Sequence, residues 1–214
     1  MRLLITAGPT RENLDSVRFI SNASSGKFGY AIAAEAIRRG HEVVLISGPV
    51  EVLAPPGAIL HKIISAEEML RVAEAEFADC DAAIMAAAVC DYRPVTRMGL
   101  KSPKQERSFS VELAPTEDIC RRLGESKGNR VVIGFAMEDH DGHIHAERKL
   151  KKKHCDAIVL NGVSSMGSDS TQIEVFSQKN GWLPSVQGTK AKLAVSVMDI
   201  VENMVNDNIG KTVN

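Results

Sequence analysis

The chain has 214 residues, 44% of them hydrophobic, with 26 Lys and Arg against 27 Asp and Glu for a formal charge of -1. That length supports one well-packed α/β domain rather than two, and the balanced charge offers no basic face for nucleic acid. No apolar run approaches transmembrane length and the N-terminus enters a strand-like run at once, so the expectation is a cytoplasmic protein without membrane contact.

The first apolar run, Leu3 to Ala7, reads as a buried strand ending in the turn Gly8-Pro9-Thr10. A polar excursion with Arg11, Glu12, Asp15 and Arg18 follows, far longer than the roughly 2–6 residues a βα connection needs. Helical spacing then runs from Gly26 to Arg39, and Val43 to Ser47 reads as a strand. Gly48 to Gly57 resists assignment. Ala58 to Ile63 is strand-like, Ala66 to Phe77 helical and Ala82 to Ala87 strand-like again. Arg93 to Arg107, rich in Lys, Arg, Pro and Ser, is long enough for a flexible flap over about 94–108. Ser108 to Leu113 alternates like an exposed strand. Glu117 to Gly124, Ile144 to Lys153 and Lys190 to Asn206 are helical, and Val131 to Phe135 and Ala157 to Leu160 are strands. Gln172 to Ser177 and Trp182 to Val186, joined through Asn180-Gly181, predict an antiparallel edge hairpin. The expected fold is α/β, a Rossmann-like doubly wound, mostly parallel sheet with that hairpin at its edge, in a single domain over 1–214. Cys80, Cys90, Cys120 and Cys155 form no Cys-x-x-Cys pair and read as free thiols in a reducing compartment.

The densest signal is Arg18-Phe19-Ile20-Ser21-Asn22-Ala23-Ser24-Ser25-Gly26-Lys27-Phe28-Gly29, which leads directly into a helix. Backbone N–H groups and the positive end of the helix dipole converge there, as a phosphate requires. A plain reading competes: Ser24 or Ser25 as an N-cap. Walker A geometry fails, because Ser21 stands where the first glycine belongs and Phe28 where a magnesium-binding hydroxyl belongs. A dinucleotide site is disfavoured as well. The first turn is not Gly-x-Gly-x-x-Gly, and the second strand ends in Ser47-Gly48-Pro49 with no acid for a ribose.

Three further clusters carry chemistry. Ala86-Ala87-Ala88-Val89-Cys90 sets small residues and then Asp91-Tyr92-Arg93 at the carboxyl edge of the sheet, where open α/β sheets bind ligands; Asp91 is equally read as a turn cap. Lys149 and Lys153, four apart, share a helix face, and Lys101 and Lys104 sit in the flap, although lysines at a helix C-terminus also simply offset its dipole. The tract Asp139-His140-Asp141-Gly142-His143-Ile144-His145 has no ligand spacing that completes a metal site, so the metal ligands are left unassigned. No Gly-x-Ser-x-Gly elbow occurs.

Ile5-Thr6-Ala7-Gly8-Pro9-Thr10-Arg11-Glu12 and the Ser21-Asn22-Ala23-Ser24-Ser25-Gly26-Lys27 string resemble the phosphopantothenate–cysteine ligase family of coenzyme A biosynthesis. Leu45 to Pro49, Ala86 to Val89, Asp91 to Pro94, Gly134-Phe135-Ala136 and Lys149 with Lys153 extend the likeness along the chain. The resemblance implies that 4'-phosphopantothenate is activated by CTP, or by ATP, with Mg2+, and that L-cysteine then displaces the nucleotide. It implies a homodimer in the free-standing form, with any phosphopantothenoylcysteine decarboxylase a separate partner. Carried over residue by residue, Asn22 stabilises the acyl intermediate, and Arg18, Ser24, Gly26, Lys27, Ala88 and the flap's Lys101 meet the substrate. Gly8, Asp91, Thr116, Glu117, Asp118, Ile119, Phe135, Lys149 and Lys153 are the nucleotide-binding positions. The chain departs from the family at the flap, Lys101-Ser102-Pro103-Lys104 for Lys-Ile-Lys-Lys, and at Thr116-Glu117-Asp118-Ile119 for Asn-Pro-Asp-Ile. Two other classes stay open: an NAD(P)-dependent Rossmann-type reductase and a non-catalytic nucleotide-binding protein. The first needs a Tyr-x-x-x-Lys pair, and the positions four beyond Tyr30 and Tyr92 are Ala34 and Thr96; the second has no use for Asn22.

Overall fold

The computed structural model describes residues 1–104, 106, 108–162 and 168–212, so the flap positions 105 and 107 fall outside it. Strand β1 (Arg2–Ala7) lies inside a sheet of nine strands among the described residues. On one side it pairs in parallel with β4 (Glu42–Ser47), which pairs with β5 (Ile59–Lys62). On the other it pairs with β6 (Ala82–Met85), followed by β9 (Val131–Glu138) and β10 (Ala157–Gly162), all parallel. The strand order therefore reverses at β1, and the crevice beyond the carboxyl ends of β1 and β6 is the topological switch point where such sheets take ligands.

Continuous apolar runs follow from burial on both faces. Leu3, Ile5, Val43, Leu45, Ile84 and Ile133 pack toward α1 (Lys27–Arg38) and α5 (Lys190–Thr212). Their neighbours Leu4, Val44, Ile46, Ala83, Val132 and Ile158 pack toward α2 (Ala66–Phe77), α3 (Ile119–Glu125) and α4 (Gly142–Lys152). Each strand thus spends alternate residues on alternate layers. Among the described residues, no helix is long and apolar enough to cross a membrane.

The antiparallel edge is present, with one difference. Strand β11 (Ser170–Ser177) pairs with β10, but its returning arm is split into β12 (Gly181–Trp182) and β13 (Val186–Thr189). Pro184 lies in the break, where a residue with no N–H cannot continue the ladder. The long polar excursion contains a hairpin that the sequence pattern does not announce: β2 (Arg11–Asn13) against β3 (Phe19–Ser21). The exposed strand expected over Ser108 to Leu113 moves to β8 (Leu113–Pro115), which pairs with β7 (Tyr92–Pro94) as a separate two-stranded ribbon. Helix α3 starts at Ile119 rather than Glu117 because the Asp118 carboxylate accepts the Arg121 N–H at 3.1 Å and caps it. Helix α2 opens on a full capping box between Ser65 and Glu68, and Glu12 of the hairpin accepts the Ala66 N–H at 2.8 Å. Burial raises the Glu12 carboxyl above its ordinary value.

One ionic knot joins α1 to α5. The Arg39 guanidinium reaches Glu35 at 2.7 Å and both Asp199 and Glu202 at 2.8 Å, and His41 reaches Glu202 at 2.7 Å. Bonds from Arg38 and Arg39 hold the Glu35 carboxyl down at about 2. A lowered carboxyl pKa adds stability above its unfolded value near 4.5, and that share is lost as pH falls toward about 2. Substituting Arg39→Ala leaves Glu35 nearly buried without this partner and is expected to destabilise the fold by about 2–3 kcal/mol, measured by urea denaturation at pH 7. The gap between variant and wild type should narrow as the titration is repeated from pH 4.5 toward pH 2; a constant gap would show that Glu35 is not the group responsible.

Candidate functional site

The turn after β1 and the start of α1 occupy the same small volume. Gly8 and Gly26 both take left-handed backbone, with φ of 72° and 73°. A β-carbon on Gly26 would come within 3.3 Å of the Gly8 backbone and 2.8 Å of Val50 Cγ1. With Gly26 at the N-cap, no side chain caps α1 and no acidic residue stands in its first turn. Neither Ser24 nor Ser25 plays the capping role that the plain reading gave it. The first-turn amides of Lys27, Phe28 and Gly29 are donors left without intrahelical partners, at the positive end of the dipole. That arrangement favours an anion.

The β6 exit closes the other side of this mouth. Ala88 donates to Gly8 O at 2.9 Å and pairs with Pro9 as an isolated parallel bridge. Thr10 supports the same loop, its buried hydroxyl accepting the Cys90 N–H at 2.9 Å. Asn22 spans the gap: its Nδ2 donates to Ala88 O at 3.2 Å and Val89 O at 2.9 Å. Two facing carbonyls require the amide nitrogen there, so the carboxamide oxygen is the atom turned away from them. The side chain itself is exposed.

Arg18 does not stand alone before an anion. Its guanidinium bonds Asp15 at 2.9 Å and donates to Ser102 O at 2.8 Å, while Ser102 N–H donates to Asp15 at 3.2 Å. Arg18, joined by the Val17 and Ser102 N–H groups, holds the Asp15 carboxyl far below its usual range. The flap is thereby clamped onto the β2–β3 hairpin, next to the exposed Lys101.

The expected nucleotide positions fall into two groups. Thr116 N–H donates to Asp91 O at 2.9 Å, and Thr116 Oγ1 donates to Cys90 O, so the loop before α3 is stitched to the β6 exit. Asp118 pairs with Lys153 at 3.2 Å, Ile119 is buried behind it and Glu117 is exposed. Phe135 lies edge-on to Phe28 with ring centroids 5.4 Å apart, which ties β9 to the start of α1. Burial works against charge on Lys153, but Cys120 and Asp118 outweigh it and raise its pKa. Two lysines are held by other carboxylates: Lys149 pairs with Glu138 at the end of β9, and Lys27, expected to meet the substrate, pairs with Asp169 at 2.6 Å. Lys153 is the C-cap of α4, its N–H still donating to Lys149 O at 2.9 Å, and the two ammonium groups go to different carboxylates, Glu138 and Asp118.

The histidine tract divides: the His140 and His145 rings meet edge-on at 5.5 Å, while His143 turns to other partners. His145 bonds Glu138, and His143 bonds Glu174 and stacks on Trp182. Among the described residues, no group of three or more His, Cys, Asp and Glu gathers for a metal ion. Sequence reasoning missed Thr10, Glu12 and Asp15, all buried, which hold the mouth and flap in place. Their one available signal was the presence of chargeable and hydroxyl residues in a loop too long for its task. A cavity of about 410 Å3 lined by Arg11, Glu12, Arg71, Arg93 and Arg97 borders hairpin and ribbon, whereas a larger one of about 820 Å3 lies at the amino ends of β9 and β10, away from the mouth.

Residues 1–205 match the family described as DNA/pantothenate metabolism flavoprotein C-terminal domain. The chain is 40% identical over 179 residues to the coenzyme A biosynthesis bifunctional protein CoaBC of Bacillus subtilis (strain 168), covering 81% of this chain and 44% of that one. It is 38% identical over 212 residues to a protein named cysteine/cysteine sulfinic acid decarboxylase from an unknown prokaryotic organism, covering 96% of this chain and 59% of that one. The chain therefore spans about half the length of the curated relatives it matches. Among solved structures, the C-terminal domain of a coenzyme A biosynthesis bifunctional protein CoaBC superimposes with a TM-score of 0.81 at 35% identity, with 96% of each chain covered.

The Gly26 position gives a direct check. Gly26→Ala forces a β-carbon into left-handed backbone against Val50 and Gly8 and is expected to cost about 1–2 kcal/mol of stability. Anion binding should suffer more than stability does, read by titrating pyrophosphate against the thermal transition. Equal pyrophosphate affinity in variant and wild type would show that the mouth is not an anion site.

Proposed function

Since the chain belongs to the DNA/pantothenate metabolism flavoprotein C-terminal domain family, we propose that it joins 4'-phosphopantothenate to L-cysteine with CTP as activator, ATP being the alternative. A carboxylate is a poor acyl donor. It attacks the α-phosphate of the triphosphate, pyrophosphate leaves, and the mixed anhydride then reacts with cysteine's amine to release the nucleoside monophosphate. The observation that carries this reading is the uncapped start of α1 meeting Gly8, Ala88 and the Asn22 carboxamide at one sheet edge.

Each part of the chain has a task in that scheme. Ser24, Gly26 and the first amides of α1 hold phosphate oxygens, and Lys27 adds charge at the rim after exchanging Asp169 for the ligand. Asn22 gives up one of its two carbonyl partners to donate to the acyl oxygen as negative charge grows there. Lys101 and Arg18 approach the substrate from the flap and the hairpin. Asp91 and the loop Thr116 to Ile119 line the nucleotide, with Phe135 beneath and Lys153 and Lys149 drawn from Asp118 and Glu138. Magnesium suits this setting: it binds through phosphates and waters with one or two carboxylates, and Asp91 is exposed at this edge. When bound, it would neutralise phosphate charge.

The exposed apolar side chains of hairpin and ribbon, Val17, Phe19, Tyr92 and Leu100 among them, support a homodimer in which each flap reaches the other copy's mouth. The reductase reading loses ground, because Tyr30 is buried with its hydroxyl on Ser47 at 2.8 Å.

The test is pyrophosphate release from CTP or ATP with 4'-phosphopantothenate, without and then with cysteine. One equivalent without cysteine and steady turnover with it are expected, with CTP preferred. Carbon dioxide from cysteine or cysteine sulfinate without nucleotide would favour the decarboxylase named in one relative instead. Asn22→Ala should retain nucleotide while losing about 100-fold or more in turnover, the scale of one oxyanion donor. Near wild-type turnover would remove Asn22 from the chemistry. Lys101→Ala should raise KM for 4'-phosphopantothenate by about tenfold, and an unchanged KM would take the flap out of substrate binding.

A further inference from the structure

Away from the mouth, two thiols 35 positions apart meet in the interior. Cys120, in the first turn of α3, and Cys155, just beyond the end of α4, place their sulfurs 3.3 Å apart. Both are buried. They lie over Gly134 of β9, where a β-carbon would come within 3.2 Å of Cys155 Sγ and 3.5 Å of Cys120 Sγ. Glycine at that position leaves the space that two sulfurs share.

The proposed ligase chemistry uses neither sulfur, yet their neighbours in the chain belong to it. Asp118 and Ile119 immediately precede Cys120, Lys153 stands two residues before Cys155, and the Asp118–Lys153 pair closes the same junction at 3.2 Å. The Lys153 ammonium also faces Cys120 and is favoured in its charged form by it. Cys155 keeps its proton well above the ordinary thiol range, through its bond to Cys120 and its burial. Access comes from the far side. The 820 Å3 cleft at the amino ends of β9 and β10 is lined by Cys155 together with Gly124, Lys127, Lys151 and His154, so a small oxidant meets the Cys155 side of the pair without passing through the mouth.

We propose that Cys120 and Cys155 form a reversible, peroxide-driven disulfide that lowers nucleotide affinity at the Asp118–Lys153 junction. One thiol of the pair gives up its proton and its sulfur attacks one peroxide oxygen; an S–O bond forms, the O–O bond breaks and the departing oxygen takes up that proton and leaves as water. The second sulfur then attacks the sulfenic sulfur; the S–S bond forms, the S–O bond breaks and a second water leaves with the second thiol's proton. Two thiols lose two electrons and one peroxide becomes two waters. The sulfurs must close from 3.3 Å to about 2.05 Å, drawing the start of α3 toward the segment after α4. Asp118 and Lys153 ride on those two segments. The effect on nucleotide rests on the ligase reading; the disulfide does not.

The purified chain is treated with hydrogen peroxide, alkylated and mapped by mass, and CTP affinity is measured by equilibrium dialysis before and after. A linked peptide joining positions 120 and 155 is expected, together with about tenfold weaker CTP binding, both reversed by dithiothreitol, which leaves methionine oxidation untouched. Cys120→Ala and Cys155→Ala should each abolish the link and the loss of affinity, while Cys80→Ala should leave both intact. Saturating CTP should in turn shift the dithiol–disulfide equilibrium, read in a glutathione redox buffer, toward the dithiol, since the coupling is reciprocal. Absence of the linked peptide in a reduced protein that binds CTP overturns the proposal. A linked peptide with unchanged CTP affinity overturns the control of nucleotide binding. No CTP binding by the reduced protein strikes the ligase reading instead, and the peptide map then judges the disulfide on its own.

Discussion

Helix α1 can begin directly against the end of β1 because no side chain stands at positions 8 or 26. With backbone at φ near 72° on both sides and only hydrogen where the two turns touch, the first amides of the helix arrive at the carboxyl edge of the central strand. Everything at the mouth is placed relative to that contact. Gly8 O receives Ala88 N–H, so the β6 exit is hung from the same turn, and Phe28, one residue into the helix, meets Phe135 of β9. Three parallel strands thereby present their ends to one helix N-terminus, at the point where the sheet order reverses.

The β2–β3 hairpin is what turns this edge from a shelf into an enclosure. It makes almost no core of its own. Its position comes from polar latches to three neighbours: Glu12 to the start of α2, Ser21 to Thr10 O at 2.8 Å beside the β6 exit, and Asp15 with Arg18 to the flap. Each net hydrogen bond is worth only about 0.5–1.5 kcal/mol, and more when charged, so such a lid can yield locally without threatening the sheet beneath. A flap held to the hairpin by one carboxylate, one guanidinium and the Met98 N–H on Leu14 O at 3.0 Å is secure at neutral pH and still able to open.

How far the sequence carried this picture depended on the range of each signal. Among the described residues, the six parallel strands and five helices announce themselves, because apolar runs and helical spacing are local properties of runs such as Leu3 to Ala7 or Ala66 to Phe77. The mouth was legible for the same reason: Gly8, Asn22, Gly26 and Ala88 sit in strings whose composition suits anion contact. Two three-residue strands inside a polar excursion carry no usable period, so β2 and β3 did not appear. Pairings across the fold were invisible too. Lys149 and Lys153 look equivalent on a helical wheel, yet the first answers to Glu138 and the second to Asp118. Cys120 and Cys155 look unrelated until β9 and β10 bring them together over Gly134.

Asn22 poses the sharpest question of energy. Both of its amide hydrogens are spent on carbonyls, each a neutral bond worth about 1 kcal/mol net. In the proposed reaction an acyl oxygen gains charge only as the anhydride forms and again as cysteine attacks. A donor aimed at such an oxygen is worth roughly 2.7–4 kcal/mol, against about 1 for the carbonyl it must leave. The exchange is thus unfavourable or neutral toward a ground-state carbonyl and favourable toward the transition state. An amide that starts from two carbonyl partners therefore discriminates between the two states better than one left pointing into water, because what it gives up is surrendered only when the charge has appeared.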